Sequence, residues 1–174
     1  MVPDTYSTDR LRAERMSESH LGELRMMHQD TRMMAMIGGV RDEAGTAAYL
    51  ERHLVHWRQH GFGFWMLWDA DTGTSVGLAG LRHLTLDGED EVEVGYGFLP
   101  AFWGRGLATE IARECVHQAF GDLALPSLVA LTNDANVASQ HVLRKVGLTY
   151  EREVTHDGRR SILFRGTRPT GDQP

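Results

Sequence analysis

Residues 98–110, FLPAFWGRGLATE, set two glycines around an arginine just ahead of a helix-like run. A glycine inside a helix costs roughly 1 kcal/mol against alanine. Gly104 and Gly106 therefore mark either a plain turn or a backbone that must come close to something. With no β-carbon at either position, the amides of Trp103–Thr109 can close on an anion, and the positive end of the following helix adds to the attraction. Arg105 could supply a charge and Thr109 a hydroxyl donor. A phosphate or pyrophosphate suits the arrangement. The pattern GxxxxGK[ST] is absent, and a dinucleotide fingerprint GxGxxG would need a glycine where Thr109 stands. Asp122 falls near the spacing of a ribose-binding acid, but in a Gly-Asp turn rather than at a strand end. Taken alone, the stretch supports an anion site and a structural turn equally.

Two other groupings could carry chemistry. His53, His56 and His60 share a helix face at i, i+3 and i+7. No carboxylate or second-helix ligand accompanies them, so no metal is expected, and they read as the wall of a binding site or as solvated side chains. Cys115 is the single cysteine and sits at an apolar helical position, which suits a small core residue better than a nucleophile. One cysteine excludes an intramolecular disulfide and points to an intracellular protein.

The 174 residues suffice for one domain with a full core, here assigned to 1–166, with the polar residues 167–174 as a disordered tail. A net charge of −6 argues against a nucleic-acid partner, which would require a basic face, and weakly favours cationic or amine-bearing partners. The N-terminus lacks a signal-peptide run, and no segment approaches ~20 apolar residues. A cytoplasmic protein off the membrane, monomer or homodimer, is the expectation.

The elements that must position these residues follow from periodicity. DRLRAERM forms a first strand with Leu11 and Ala13 on one face. A helix follows, capped at Ser17 or Ser19, with Leu21, Leu24 and Met27 on its apolar side. A second, 43–60, buries Ala47, Leu50, Leu54 and Trp57 and stops at Gly61. FGFWMLWD, TSVGLAGLRHL and EVEVGYGFL then make an antiparallel meander turned by ADTG and LDGED. A helix over 105–119 crosses to SLVALT, a helix from Asn136 ends at Gly147, and a hairpin closes around Asp157–Gly158. The order β-α-α-β-β-β-α-β-α-β-β predicts an α+β domain with a mixed, mostly antiparallel seven-stranded sheet and flanking helices. A ligand belongs at the crossover, where the helix N-terminus faces the carboxyl end of the strand.

Together, EVEVGYGFLPAFWGRGLATE and NDANVASQHVLRKVGLTYER resemble the acetyl-CoA-binding core of the GNAT family of N-acetyltransferases. The family's phosphate loop, [QR]xxGx[GA], falls on Trp103, Gly106 and Ala108. Trp103 departs from Gln or Arg in a way that is similar to the RimJ/RimL-like branch, which acetylates ribosomal-protein N-termini, and STDRLRAERMSESHLGEL is similar to that branch's opening segment. The resemblance spans roughly residues 8–165.

That resemblance implies a sheet splayed between strands 91–99 and 127–132. It puts the CoA pyrophosphate on the backbone of Gly104, Arg105, Gly106, Leu107, Ala108 and Thr109, after Trp103. It pairs the pantetheine arm with Phe98 and Leu99 and sets Asn136 against it, although Asn136 is equally a helix N-cap. Gly95 and Gly97 fit a bulged, open strand or simply two small packing residues. The implied reaction is direct acetyl transfer from acetyl-CoA to a primary amine, either a protein N-terminus or a small molecule. An alkyl amine has a pKa near ~10, so a base must take its proton. Glu93 is the candidate, with Glu91 in reserve as the more ordinary surface acid. A backbone N–H near Phe98 could meet the oxyanion. Many family members use a tyrosine seven residues after the asparagine to protonate the thiolate, but here that position is Leu143. Ser139 or Tyr150 could replace it, and a CoA thiolate can also leave with solvent protonation. The departures leave an alternative, a module that binds acyl-CoA without catalysis.

Overall fold

The computed structural model describes residues 2–168. Eight strands form one sheet: β1 (Thr5–Ser7), β2 (Leu11–Arg15), β3 (Phe64–Asp69), β4 (Ser75–Leu86), β5 (Glu89–Phe98), β6 (Ser127–Thr132), β7 (Thr149–His156) and β8 (Arg159–Thr167). Their order is β1-β2-β3-β4-β5-β6-β8-β7, antiparallel except for β5 beside β6. The fold is α+β, as expected, with one strand more than the periodicity indicates. The extra strand, β1, is three residues long and lacks an apolar run. Edge pairing with β2, and Tyr6 set edge-on to Trp65 at 5.2 Å, hold it in place.

Five α-helices flank the sheet: α1 (Leu21–Gln29), α2 (Thr31–Met34), α3 (Glu43–His60), α4 (Leu107–Phe120) and α5 (Val137–Lys145). A 3-10 turn, Glu18–His20, precedes α1, with Ser17 at its N-cap. The face that α3 buries is rotated from the expected one. Ala47 is exposed and Leu54 half-buried, while Thr46, Tyr49, Leu50, His53 and Trp57 point inward. Aromatic and polar side chains replace the small apolar ones because α3 lies over a sheet face that carries Phe64 and Glu93.

The core lies on both sides of the sheet. Val92, Val94 and Phe98 of β5 join Ile111 and Cys115 of α4 on one face, while Met27, Met33, Tyr49 and Phe64 fill the other. The turns follow the residue logic: Asp87–Gly88 and Asp157–Gly158 both hold positive φ at both positions, as a two-residue hairpin turn requires. Gly147 closes α5 at φ +91°. Of the expected tail, Thr167 ends β8 and the Arg168 N–H donates to Pro126 O (3.0 Å); residues 169–174 lie outside the described residues. No helix among the described residues is long and apolar enough to cross a membrane.

Candidate active site

The parallel neighbours β5 and β6 share a single register pair, Glu93 with Val129. Beyond it the strands diverge, so the sheet is splayed where the resemblance implied. Pairing of β4 with β5 is continuous from Leu86–Glu89 to Gly77–Phe98, so Gly95 and Gly97 are not at a bulge. They are small because of their neighbours. A β-carbon would stand 2.9 Å from the Phe64 ring at Gly95 and 2.8 Å from Ile37 at Gly97.

The splay opens into a cavity of about 890 Å³ that reaches both faces of the sheet, from Met33, Met36 and Ile37 to Leu107, Ser139 and Val142. That volume lies within the range of small-molecule sites. Of the residues expected to hold the cofactor, Phe98, Trp103, Asn136 and Ser139 line it, together with Gly104 and Gly106–Thr109. Gly104 and Gly106 hold φ of +73° and +77°, and Gly106 is the N-cap of α4. The first intrahelical bond runs from Glu110 N–H to Gly106 O (3.1 Å), which leaves the N–H groups of Leu107, Ala108 and Thr109 without intrahelical acceptors. Nothing would lie within 4 Å of a β-carbon at Gly104. The glycines answer first to backbone conformation, and the conformation they permit presents a row of donors to the cavity.

Two expected contacts are placed elsewhere. Arg105 does not line the cavity; its guanidinium stands 3.8 Å from Asp69 Oδ2, and its carbonyl accepts from Arg10 Nη1 (2.5 Å). Arg10 in turn pairs with Glu110 through Nε–Oε2 at 2.7 Å, so this arginine pair braces the loop from behind. Leu99 uses its N–H on Val76 O (2.9 Å) and its carbonyl on Phe102 N–H (2.9 Å). By strand alternation the Phe98 backbone groups turn away from β4 toward the splay. The Trp103 indole N–H donates to the Phe98 carbonyl (2.7 Å), leaving the Phe98 N–H as the free donor. Arg32 and Lys145 line the cavity as cations that the sequence reading did not single out, and Arg32 Cζ lies 5.2 Å from the Trp103 ring.

Asn136 caps α5, accepting from Ser139 N–H at 3.1 Å. Ser139 Oγ is 3.0 Å from Tyr96 Oη. Burial pushes the Tyr96 hydroxyl up to about 12 although the Ser139 bond works the other way, so it carries its proton at neutral pH. Tyr96 was missed by sequence reasoning. The signal was its place in the alternation Val92-Val94-Tyr96-Phe98, where one polar group stands on an otherwise apolar face. Leu143 is buried and carries no polar group. Tyr150 is exposed, outside the cavity lining, with its ring against Phe164 at 6.4 Å.

Glu93 is 7% exposed and points to the opposite face from Tyr96. Arg82 Nε donates to its Oε2 at 2.7 Å, while Oε1 makes no hydrogen bond among the described residues. Counting five residues outward from each side of the Asp87–Gly88 turn sets Arg82 opposite Glu93, so this pairing was readable from the hairpin register. Glu91 is engaged by Arg165 through both carboxylate oxygens, at 2.7 and 3.0 Å, which makes it a structural ion pair.

The three histidines of α3 separate by depth. His53 is buried, and burial followed by Arg82, His56, Arg52 and Arg41 holds its imidazole down to about 3. Burial likewise lowers His56 to about 4; its ring nitrogens are spent on Phe62 O and the His83 N–H, both at 2.9 Å. His60 is exposed. No metal-binding cluster of acidic, histidine or cysteine side chains occurs among the described residues. Cys115 is fully buried, and burial pushes its thiol up to about 12.

A family model described as the acetyltransferase (GNAT) domain matches residues 10–149. The Bacillus subtilis protein YkkB is 29% identical over 153 residues, covering 84% of this chain and 86% of its own. An acetyltransferase structure from Agrobacterium tumefaciens aligns with a TM-score of 0.82 at 27% identity, over 95% of this chain and 94% of that one. RimL, a ribosomal-protein alpha-N-acetyltransferase solved in complex with coenzyme A, aligns with a TM-score of 0.75 at 14% identity, over 92% and 95% of the two chains.

Proposed function

The chain belongs to the GNAT acetyltransferase family, and from that premise we propose that it moves an acetyl group from acetyl-CoA directly to a primary amine presented on the Glu93 face of the sheet. The observation that carries this reading is the splay itself. A single β5–β6 register pair, at Glu93, opens a cavity that runs from the row of free amides to the Tyr96–Ser139 pair.

In this reading the N–H groups of Leu107–Thr109, with the glycine-bearing loop before them, hold the pyrophosphate, and Arg32 and Lys145 supply the charge that Arg105 does not bring. The pantetheine arm lies along the free edge of β5, beside Asn136. The amine nitrogen attacks the thioester carbon from the Glu93 side. Its proton passes to Glu93 Oε1, directly or through a water, while Arg82 fixes the other oxygen. The Phe98 N–H meets the oxyanion as the tetrahedral centre forms. When the carbon–sulfur bond breaks, the thiolate takes a proton from Ser139 Oγ, which draws one from Tyr96 Oη, and Tyr96, on the cavity lining, regains its proton from solvent. Base and acid thus stand on opposite faces of the sheet; Tyr96 and Ser139 line the cavity, whereas Glu93 lies at the β5–β6 pair outside its lining and is reached from the α3 face. The CoA complex of RimL supports the cofactor, and Trp103, in place of the common Gln or Arg, is the ground for including the RimJ/RimL-like branch in this reading. Acceptors to test are therefore protein N-terminal amines and small amines.

Free CoA release should be measured over a panel of amines and N-terminal peptides. Glu93→Gln should lower kcat/KM by about 10²–10⁴-fold with CoA affinity kept. Tight CoA binding with no turnover on any amine, unaffected by Glu93→Gln, would instead support the non-catalytic acyl-CoA module.

A further inference from the structure

The chain as a whole is acidic, with 24 Asp and Glu against 18 Lys and Arg. Around Tyr49 the balance reverses. Arg41 Cζ lies 5.0 Å from the Tyr49 ring and Arg52 Cζ 5.9 Å from it. Arg82 stands on β4 beside Glu93. Arg159, at the start of β8, donates from Nη2 to Gly38 O (2.9 Å), and a β-carbon at Gly38 would collide with its guanidinium. Four guanidinium groups from four separate segments therefore converge over α3.

Among the described residues, only Arg82 of the four has an ion-pair partner. Arg41, Arg52 and Arg159 have no carboxylate within salt-bridge distance among the described residues. Besides Glu93, the acid acting on the group is Asp157, an exposed side chain at the hairpin tip that faces Arg82. Burial first holds Arg41 below the ordinary arginine range, Tyr49 pulls the other way, and Arg52, Arg159 and Arg82 each add a smaller lowering. In the same place His53 buries an Nδ1 with no hydrogen-bond partner. The Arg41 and Arg52 guanidinium groups both lie within cation–π range of Tyr49, and apart from Arg41 Nη1, which donates to Met34 Sδ (3.9 Å), their N–H donors have no protein acceptor among the described residues.

We propose that the acceptor amine carries an anionic group, a carboxylate or phosphate, close to its nitrogen, and that Arg41, Arg52 and Arg159 receive that group while the nitrogen faces Glu93. The proposal rests on the reading that the amine reaches Glu93. Arg82 sets the geometry, because it joins the arginine group to the carboxylate that takes the proton. An incoming anion relieves the mutual repulsion of the guanidinium groups and gains charge-assisted hydrogen bonds from them. The overall negative charge still favours amines in general, and the local positive field at the arginines selects those that also carry an anion.

Two matched pairs test this: ethanolamine against O-phosphoethanolamine, a compact anion, and the C-terminally amidated dipeptides Ala-Gln-amide against Ala-Glu-amide, an acidic N-terminal segment. The anionic member of at least one pair should be preferred by about tenfold or more in kcat/KM. Arg52→Gln should bring that preference toward parity. Arg58→Gln, on the same helix but paired with Glu51, should leave it in place. Equal rates, or a preference for the neutral members in both pairs, would overturn the proposal while leaving acetyl transfer intact. If no amine is acetylated, calorimetric binding of the same pairs to the protein–CoA complex decides. An anionic preference lost in Arg52→Gln retains the anion site and removes the Glu93 reading, and equal binding removes the anion site.

Discussion

Replacing Gly106 by alanine separates a phosphate seat from a plain turn. Gly106 holds φ +77°, and a β-carbon there would meet only Arg10 Nη2, at 3.5 Å. Contact is therefore ordinary, and the penalty is conformational, about 1–2 kcal/mol for a left-handed non-glycine residue. Gly73, in the β3–β4 turn, supplies the control: φ is +68° and nothing lies within 4 Å of its β-carbon position. The two variants should lose similar stability, seen as a melting temperature roughly 2–8 °C lower at this chain length. Their CoA affinities should differ. Relaxing φ at residue 106 turns the first amides of α4 off their axis, and each charge-assisted bond lost is worth roughly 1.5–3 kcal/mol. Titration calorimetry with CoA should show affinity about tenfold or more weaker for Gly106→Ala and unchanged for Gly73→Ala. Equal affinities, with both proteins folded at the titration temperature, would refute the phosphate seat and return the loop to a structural turn.

Other perturbations probe the remaining parts. Tyr96→Phe removes the hydroxyl 3.0 Å from Ser139 Oγ; kcat should fall by about tenfold or more with the CoA Kd unchanged, and an unaltered kcat would place thiolate protonation with solvent. Burial holds His53 at about 3 and His28 and His56 at about 4, whereas an unfolded histidine titrates near ~6.5. Between those values the unfolded chain binds the extra protons, so this stability is complete above about pH 6.5 and is lost as the pH falls toward 4. His53→Phe should melt with a shallower pH dependence than wild type across that window, and parallel curves would count against a neutral, buried His53. Cys115 should resist iodoacetamide in the folded protein at pH 7.5, read by intact mass, because its thiol is buried and held protonated. Acetyl trapped covalently on Cys115 during turnover would contradict direct transfer.

Turns and helix stops were legible because they depend on single residues. Asp87–Gly88, Asp157–Gly158, Gly61 and Gly147 each adopt the positive φ that their types permit. The meander and the crossover helix followed from apolar periodicity, and the glycine pair ahead of α4 is part of the cavity lining. Less legible were features without a local signal. β1 is polar and exists through its pairing with β2. The buried face of α3 turned on which sheet residues lay beneath it, and so Ala47 faces solvent while His53 does not.

By itself, then, the sequence determined where the backbone must bend and which helix start is bare of side chains, since those are properties of one residue and its neighbours. Tertiary structure decided what those features face. Arg105, placed by its neighbours in the phosphate loop, is drawn to Asp69 because β3 ends beside it. Ser139 meets Tyr96 across 43 residues, and Arg159 reaches Gly38 across 121. The gap between β5 and β6 exists because one register pair joins them and the rest of each edge stays unpaired. Such long-range placement comes from chain closure around a shared core, which no window of the sequence contains.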